Sequence, residues 1–270
     1  MKPPPWFVVM AALLLGLGTA LAQLLLPAAD PTPPARAEPR RSGYADMGSA
    51  LQAMQRDDAQ NSGLLWVADG AALWSRSSAT APACAGCHGA EATSTLRSVA
   101  ARYPAWDAAL ARPVDLAQRI NLCRERHQHA PAWVPESQEL LALESYLAHA
   151  ARGLPIAPPD DPRLLPFRAR GEALHRQRIG QLDLSCAQCH DEHAGGRLAG
   201  SLIPQGRSVG YPVYRLEWQG VGSLQRRVRN CMTGVRAEPL AYGSTPMVEL
   251  ELYLAWRDRG MAGETPGVRP

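Results

Sequence analysis

Four stretches of the chain carry apolar residues at the spacing of one helix face. They cover residues 64–74, 136–151, 167–178 and 247–259. In the second and fourth stretches, the apolar side chains recur every three or four positions: Leu140, Leu143 and Leu147, and then Leu250, Tyr253 and Leu254. This spacing predicts helices that bury one face. No segment has a convincing strand pattern, so we predict an all-α chain.

The second half of the sequence repeats the signals of the first. The repeated signals are Gly70 with Gly171, Tyr103-Pro104 with Tyr211-Pro212, Cys123 with Cys231, and Tyr146 with Tyr253. From Tyr103 onward the spacing between matching positions is almost constant. We infer a tandem duplication, with the proline-rich residues 153–166 as the linker between the copies.

Each half also contains one copy of a five-residue motif, Cys-x-x-Cys-His. The copies are Cys84-Ala-Gly-Cys87-His88 and Cys186-Ala-Gln-Cys189-His190. Two thiols at this spacing form thioether bonds to heme vinyl groups, and the adjacent histidine binds the iron. A single copy would also fit a zinc knuckle or a thiol redox pair, but two copies favour two covalently bound heme c groups. We therefore predict two tandem cytochrome c-type domains, residues 38–155 and 156–270, each around one heme.

Residues 1–26 have the pattern of a secretory signal. A single lysine precedes an apolar run, and Ala20-Leu-Ala22 supplies the small residues of a cleavage site. The alternative is an uncleaved anchor, because apolar residues resume at 24–26 and the stretch approaches the length that spans a bilayer. The cleavage pattern favours a signal peptide and Pro-rich leader over residues 1–37. We predict export to the periplasm, with no stable membrane insertion after cleavage.

The charge balance excludes one class of partner. The formal net charge is +3, from 28 Lys and Arg residues against 25 Asp and Glu residues. Lys2 is the sole lysine and lies in the predicted signal, and the propionates of two hemes would add negative charge. We therefore predict no nucleic-acid partner.

The residues alone leave open which group binds each iron opposite its histidine. No methionine lies between Met54 and Met232. The candidates for the first heme are therefore Cys123, His127, His129, His149 or water. For the second heme they are Cys231, Met232, Met247 and His193.

A duplicated ligand is the simplest reason for a duplicated thiol. We therefore predict the axial pairs His88 with Cys123 and His190 with Cys231. The alternative is a disulfide between the two lone cysteines, as is common in an oxidising compartment. Each thiol is expected to face its own heme, however, and a disulfide needs Cα atoms within about 7 Å. A thiolate ligand lowers the heme potential, which suits sulfur chemistry better than simple electron carriage.

The segment around Cys231 is rich in arginine. Arg227 lies four residues before the cysteine, so the two side chains share a face if the segment is helical. A guanidinium there would hold a sulfur oxyanion and favour the thiolate. Arg119 precedes Cys123 by the same spacing, but the second half has four arginines with no acid among them. We predict that the second heme is the working site, with Arg227 and Arg236 offsetting the charge of an anionic substrate.

These residues together resemble the SoxA family, the diheme subunit of the SoxAX cytochrome that starts periplasmic thiosulfate oxidation. The resemblance covers nearly the whole mature chain, with one departure at Ser62, where the family usually has proline. It rests on both heme motifs and on Asp57-Asp58, Leu65-Trp66-Val67, Leu73-Trp74, Tyr211-Pro-Val-Tyr-Arg-Leu-Glu-Trp218, Arg236-Ala-Glu-Pro239 and Leu252-Tyr-Leu-Ala255.

The resemblance implies an L-cysteine S-thiosulfotransferase. Cys231 matches the distal ligand of the active-site heme, which is often found as a persulfide in the family, and Arg227 matches a substrate-binding arginine. Cys123 matches the thiolate ligand of the other heme. Thiosulfate would be joined oxidatively to a cysteine of the carrier protein SoxYZ. The electrons would leave through a SoxX-type cytochrome c subunit, with which the chain would form a heterodimer.

Two other functions fit the motifs. A thiosulfate dehydrogenase joins two thiosulfates and also uses a heme with histidine and cysteine ligands. A pure electron-transfer diheme cytochrome c would instead have histidine and methionine at each iron.

Overall fold

The computed structural model describes residues 39–77, 81–198 and 200–270. The predicted signal peptide and leader, residues 1–37, lie outside this part of the chain. Within it, no helix is both long and apolar enough to cross a membrane.

The first half of the described chain is mainly helical. An entry helix, α1, is followed by α2, which precedes the first heme motif, and by α3, which contains that motif. A β-hairpin then leads into two longer helices. The bounds are α1 Ser49–Arg56, α2 Gly63–Ser75, α3 Cys84–His88, α4 Ala92–Thr95, β1 Ala105–Asp107, β2 Arg112–Val114, α5 Leu116–His127 and α6 Gln138–Ala150, with a 3-10 turn at Ala100–Arg102.

The second half repeats this order and adds a hairpin after the second heme motif. Its bounds are α7 Leu165–Arg176, a turn of π-helix at Gln188–Glu192, β3 Arg197–Leu198, β4 Ser201–Leu202, β5 Val213–Arg215, β6 Gly220–Gly222, α8 Leu224–Gly234, α9 Thr245–Arg257 and β7 Gly267–Arg269, with a 3-10 turn at Pro162–Leu164. The added hairpin, β3–β4, lies between the second motif and Tyr211, where the second half is longer than the first.

The four predicted helices are confirmed, and each observed boundary lies within two residues of the expected one. Side chains fix two of the boundaries. Asp115 accepts a hydrogen bond from the Gln118 backbone N–H at the start of α5, and Ser137 accepts one from the Leu140 N–H at the start of α6. The prediction of a chain without sheet is wrong. The strands are only two or three residues long, too short for an alternating pattern to show in the sequence.

Among the described residues, the sheet with the most strands lies in the second half. Strand β5 pairs antiparallel with β6 and parallel with β7, the last strand of the chain. The Gln55 side chain, on α1, accepts a hydrogen bond of 3.0 Å from the Val268 N–H in β7. This hydrogen bond links the first helix, α1, to the last strand, β7.

Two helix pairs form the framework around the heme motifs. Helix α2 packs on α6 in the first half, and α7 packs on α9 in the second. Gly70 and Gly171 lie at the closest approach of each pair, where a Cβ atom would fall within 2.1 Å of the Ala142 carbonyl oxygen and 1.9 Å of the Glu249 carbonyl oxygen. The apolar positions that predicted the helices are buried in these contacts: Leu140, Leu143, Leu147, Leu250, Tyr253 and Leu254.

The predicted linker is hydrogen-bonded to both halves. The Ile156 N–H donates to the Met261 carbonyl and the Ala157 N–H to the Ala101 carbonyl, each at 2.8 Å. Residues 40–270 accordingly form one compact unit. The division into two domains at residues 155 and 156 remains a prediction.

A cavity of about 120 Å³ lies where the halves meet, and acidic side chains line it. The Gln225 side-chain N–H group donates to Asp115 at 2.8 Å and to Glu251 at 3.0 Å. Burial raises the pKa of Glu251 well above its usual value, and the charge of Asp115 adds to this effect. Burial raises the pKa of Glu144 in the same way. These two carboxyl groups therefore bind protons more tightly in the folded chain than in an unfolded one.

The raised pKa values predict that the free energy of unfolding falls as pH rises. The folded-state pKa values of Glu144 and Glu251 are raised, so their contribution is complete below the ordinary glutamate pKa of about 4.3 and is lost on the way up to the folded-state pKa. A tenfold gain in the proton affinity of one carboxyl corresponds to about 1.4 kcal/mol. We expect Glu251→Gln, which mimics the protonated acid, to be more stable than the parent at about pH 8 and about equally stable near the ordinary glutamate pKa. Urea unfolding at both pH values measures this.

Glu125→Gln is the matched control for this experiment. Glu125 is exposed on α5, so its substitution should leave the pH dependence of unfolding unchanged. If Glu251→Gln and Glu125→Gln gave the same pH dependence as the parent, protonation of the cavity acids would be ruled out as its cause.

Candidate active site

The second heme motif presents its histidine in a fixed orientation. The Nδ1 atom of His190 lies 2.8 Å from the Pro204 carbonyl oxygen. Since a carbonyl only accepts, Nδ1 carries a proton, and Nε2 is the ring nitrogen left to bind iron. Gly206, at φ 63°, packs against the ring, and a Cβ there would lie 2.8 Å from His190 Cγ. This is the arrangement that iron ligation through Nε2 requires.

Cys231, on α8, faces this histidine. Partial burial raises the pKa of the Cys231 thiol, but a hydrogen bond with His190 and the charges of Arg227 and Arg215 outweigh burial, so the pKa lies below its usual value. The Cys186 thiol also lies near Cys231. The structure thus brings Cys231 together with the second heme motif, as the sequence predicted.

The other candidates for the second heme lie elsewhere. Met232 and Met247 are buried core residues, and Met247 is fully enclosed within α9. His193 is exposed just beyond the motif. The contact between His190 and Cys231 therefore favours the cysteine as the distal ligand.

The first heme motif has a similar neighbourhood. Cys123, on α5, lies close enough to Cys84 and Cys87 for electrostatic interaction between the thiols. The Trp74 ring lies 5.8 Å from that of His88. Of the other candidates, His127 and His129 are exposed and His149 is half-buried on α6. Cys123 is the candidate that the structure brings to the motif cysteines.

The disulfide alternative is not supported by the structure. All six cysteines lie in the described residues and all are free thiols. Cys123 lies beside the first motif and Cys231 beside the second. Each lone cysteine therefore accompanies its own motif.

Three positions, the cysteine among them, carry the same residue types at the two lone-cysteine sites. A fourth position carries a residue of opposite charge in each site. A tyrosine after which the peptide bond is cis, an arginine and the cysteine recur with identical spacing in both halves: Tyr103, Arg119 and Cys123, and Tyr211, Arg227 and Cys231. At the same spacing, the fourth position is Asp107 in the first half and Arg215 in the second. Both close a strand of the equivalent hairpins, β1 and β5.

Beside Cys123, in the first half, a buried carboxylate neutralises the neighbouring arginines. Asp107 is buried and lies 2.8 Å from Arg119 Nη2 and 3.1 Å from Arg126 Nη1. The hydrogen bond from Arg126, the Leu110 N–H and the charge of Arg119 outweigh burial and lower the pKa of Asp107 to about 2. The carboxylate is thus ionised at every physiological pH.

In the second site Arg215 is paired with an exposed acid and not with a buried one: its partner is Glu217, whose side chain is 57% exposed. Burial, and then the neighbouring charge of Arg227, lower the pKa of Arg215. Burial raises the pKa of Tyr211, against the charges of Arg227, Arg215 and Arg269. Sequence reasoning missed Arg215 and Tyr211. The constant spacing between the halves was the signal that could have found them.

Arg236, the other predicted substrate-binding arginine, lies at the surface. Its side chain is exposed, its backbone has φ 58°, and its carbonyl accepts a hydrogen bond from the Gln181 N–H. Among the described residues it forms no ion pair. Its role as a substrate-binding residue remains a prediction.

Comparison with known proteins identifies the family. The model of the SoxA/TsdA cytochrome c domain matches residues 69–156 and 170–262, one segment around each motif. The chain belongs to this family. The residues present fit heme c: in each half a cysteine pair and a histidine lie on one short helical segment, and His190 is hydrogen-bonded to the Cys231 thiol. The chain therefore has the cytochrome c fold of this family, whose cofactor is heme c.

Relatives and solved structures agree with this assignment. The chain is 34% identical to the L-cysteine S-thiosulfotransferase subunit SoxA of Pseudaminobacter salicylatoxidans, over 84% of this chain and 80% of that relative. It is also 34% identical to the same subunit of Rhodovulum sulfidophilum, over 85% of this chain and 80% of the relative. The crystal structure of SoxXA from P. pantotrophus is similar in fold, with a TM-score of 0.81 and 27% identity over 85% of this chain and 86% of that one.

Proposed function

We propose that this SoxA-family chain is the diheme subunit of an L-cysteine S-thiosulfotransferase, which joins thiosulfate oxidatively to a cysteine of the carrier protein SoxYZ. One observation carries the proposal. Cys231 is exposed on α8, where His190, Arg227 and Arg215 all act on its thiol, and the ion-pair partner of Arg215 is Glu217, whose side chain is 57% exposed. A low-pKa thiol with this charge around it suits reaction with a sulfur oxyanion.

Two heme c groups complete the proposal. Cys84 and Cys87 would bind the first and Cys186 and Cys189 the second, through thioether bonds. The axial pairs would be His88 with Cys123 and His190 with Cys231. Bound heme c accepts one electron at a time, so two groups suit a two-electron oxidation. We propose tandem domains over residues 38–155 and 156–270, and the family matches to residues 69–156 and 170–262, each of which contains one motif, support this division.

The chain's own residues supply the group-transfer chemistry. Arg227 would bind the thiosulfate dianion, and the exposed Arg236 would offset part of its charge from the surface. The Cys231 thiolate would form a sulfur–sulfur bond to the outer sulfur of thiosulfate, and two electrons would leave. A thiolate of the carrier would then attack that outer sulfur, and Cys231 would depart as a thiolate. The carrier ends with the thiosulfate group, and Cys231 is regenerated. This route requires Cys231 to leave the iron, or to react through an added persulfide sulfur.

The proposal includes partners and a location. The relative from P. pantotrophus was solved as SoxXA, which supports a heterodimer with a SoxX-type cytochrome c that receives the electrons. Covalent heme attachment and the signal-like first residues support export to the periplasm.

The proposed function is tested with the purified two-subunit complex. Intact mass should report two hemes per chain, the cleaved signal and any extra sulfur atom. With thiosulfate and SoxYZ, we expect a mass increase of one thiosulfate group on the carrier for every two electrons delivered to a cytochrome c acceptor. Tetrathionate formed without the carrier, and no transfer with it, would instead establish a thiosulfate dehydrogenase.

A spectroscopic measurement addresses the remaining alternative. Electron paramagnetic resonance should show two low-spin species with histidine and thiolate ligands. The long-wavelength absorption band of a ferric heme with a methionine ligand, combined with no transfer to the carrier, would establish a pure electron-transfer cytochrome.

A further inference from the structure

The duplicated halves differ in charge at one position beside the lone cysteine. Asp107 and Arg215 stand at the same place in equivalent hairpins, each at the end of its strand. The tyrosine, arginine and cysteine around them keep their identities in both halves. A carboxylate in one site is therefore exchanged for a guanidinium in the other, which reverses the sign of the charge at this position.

In the first half this position closes the site to anions. Asp107 Oδ2 is the acceptor for both Arg119 and Arg126, and the aspartate is 2% exposed. The donors that an anion would need are therefore already bonded to a buried carboxylate. An incoming sulfur oxyanion would also meet a like charge at close range, which is unfavourable in a partly desolvated site.

In the second half the same position carries an arginine whose hydrogen-bond donors are only partly used, although its guanidinium also lies 5.1 Å from the centre of the Trp218 ring. The Arg215 side chain is 13% exposed. Its Nη2 bonds to Glu217 at 3.1 Å, but the Glu217 side chain is 57% exposed. The Arg215 Nε is buried and has no hydrogen-bond partner within the described chain. An unpaired buried donor costs free energy that a bound acceptor would recover.

Arg215 also lies close to the reactive group. Its charge acts on Cys231, on Arg227 and on the hydroxyl of Tyr211. Besides burial, the charge of Arg227 lowers the pKa of Arg215, so the two guanidinium groups repel each other, and an anion bound to both would offset that repulsion. A dianion would also accept hydrogen bonds from the arginine donors that, in the first half, a carboxylate occupies.

We propose that Arg215 is a second binding residue for the thiosulfate dianion, acting with Arg227, and that Asp107 keeps the first site from binding the same anion. This rests on the proposed function and deepens it, because it identifies one residue position that separates a working site from a closed one. The ligand class is a small doubly charged sulfur oxyanion, which two guanidinium groups bind with several charge-assisted hydrogen bonds.

The test is equilibrium dialysis of labelled thiosulfate against the oxidised two-subunit complex without the carrier. The parent should bind one equivalent per chain. Loss of one charge-assisted contact should weaken binding about 10- to 100-fold in Arg215→Gln, and Arg215→Asp, which reproduces the charge of the first site, should be weaker still. Arg215→Lys should recover part of the affinity. A dissociation constant in Arg215→Gln equal to that of the parent would overturn the role of Arg215.

Arg226→Gln is the matched control. Arg226 lies on α8 next to Arg227, and its guanidinium lies over the Trp218 ring at 4.3 Å, the ring that Arg215 also contacts at 5.1 Å. Unlike Arg215, it is not among the charges that act most strongly on Cys231. Its substitution should change the dissociation constant less than about twofold. An effect as large as that of Arg215→Gln would show that general positive charge, and not the position of Arg215, determines binding.

Asp107→Asn tests the other half of the proposal. The amide oxygen can still accept from the Leu110 N–H, while the charge that neutralises Arg119 and Arg126 is removed. We expect a second, weaker equivalent of bound thiosulfate in this variant. A stoichiometry that stays at one, with unchanged heme spectra, would overturn the role of Asp107.

Steady-state kinetics separate failure of this inference from failure of the proposed function. Arg215→Gln should raise the KM for thiosulfate about as much as the dissociation constant, with a smaller effect on kcat. If the parent binds thiosulfate through Arg215 but transfers none to SoxYZ, the proposed transferase function fails and the binding role stands. If the parent transfers thiosulfate and Arg215→Gln does so with the parent KM, the inference alone fails.

Discussion

Replacing Cys231 by alanine is expected to lower the rate of thiosulfate transfer to SoxYZ by about a thousandfold or more, because an enzyme loses most of its rate when an essential nucleophile is removed. The substitution removes the thiol that faces His190 and lies within the field of Arg227 and Arg215. The four cysteines of the two heme motifs are untouched, so both hemes should remain attached. Turnover is measured with the purified complex, and heme content by intact mass.

Cys123→Ala is the matched control, since Cys123 is the equivalent residue of the first half. Its arginines are neutralised by Asp107, so we expect its loss to change turnover only a few-fold. Each substitution should remove one thiolate-ligated species from the electron paramagnetic resonance spectrum. Full activity in Cys231→Ala, or an equal loss in Cys123→Ala, would contradict the assignment of the second site as the working one.

The sequence was sufficient for the helical framework but not for the strands. Helix burial recurs every three or four residues over three turns or more, so the pattern in α6 and α9 was long enough to recognise. Strands of two or three residues hold no such pattern. They form because hairpins and the last strand, β7, meet in space: Gly267 of β7 lies opposite Val213 of β5, with α8 and α9 between them in the chain. Pairing of this kind is set by tertiary structure.

The site was predicted at the residues that a local motif marks. The cysteine pairs, their histidines and the i, i+4 relation of Arg227 and Cys231 are all visible in short segments. The number of nearby arginines was a weaker guide. Arg226 packs over Trp218, Arg229 packs over Tyr242, and Arg236 is exposed. The second cation at the thiol is Arg215, which comes from β5 and not from the helix that carries Cys231, and only the comparison of the two hairpins reveals its significance.

Gly171→Ala is expected to destabilise the protein by about 3 kcal/mol or more, at the upper end of the range for overpacking. A Cβ at this position would lie 1.9 Å from the Glu249 carbonyl oxygen and 2.6 Å from its carbon. Those atoms belong to the backbone of α9, so the clash cannot be relieved by a side-chain rotation. Helix α7 would have to move away from α9, which would open the contacts that enclose the second heme motif. Urea unfolding of the heme-loaded protein measures the loss.

Two further variants determine whether helix contact is the cause. In Gly70→Ala, the added Cβ would lie 2.1 Å from the Ala142 carbonyl oxygen, so the loss should be similar and should come from the α2–α6 pair. Gly234→Ala, at the end of α8, places its Cβ in open space and should not destabilise the protein, since alanine favours helix over glycine. The same glycine recurs in both halves because each helix pair crosses at backbone contact. If Gly171→Ala unfolded at the same urea concentration as Gly234→Ala, this explanation of the repeat would be wrong.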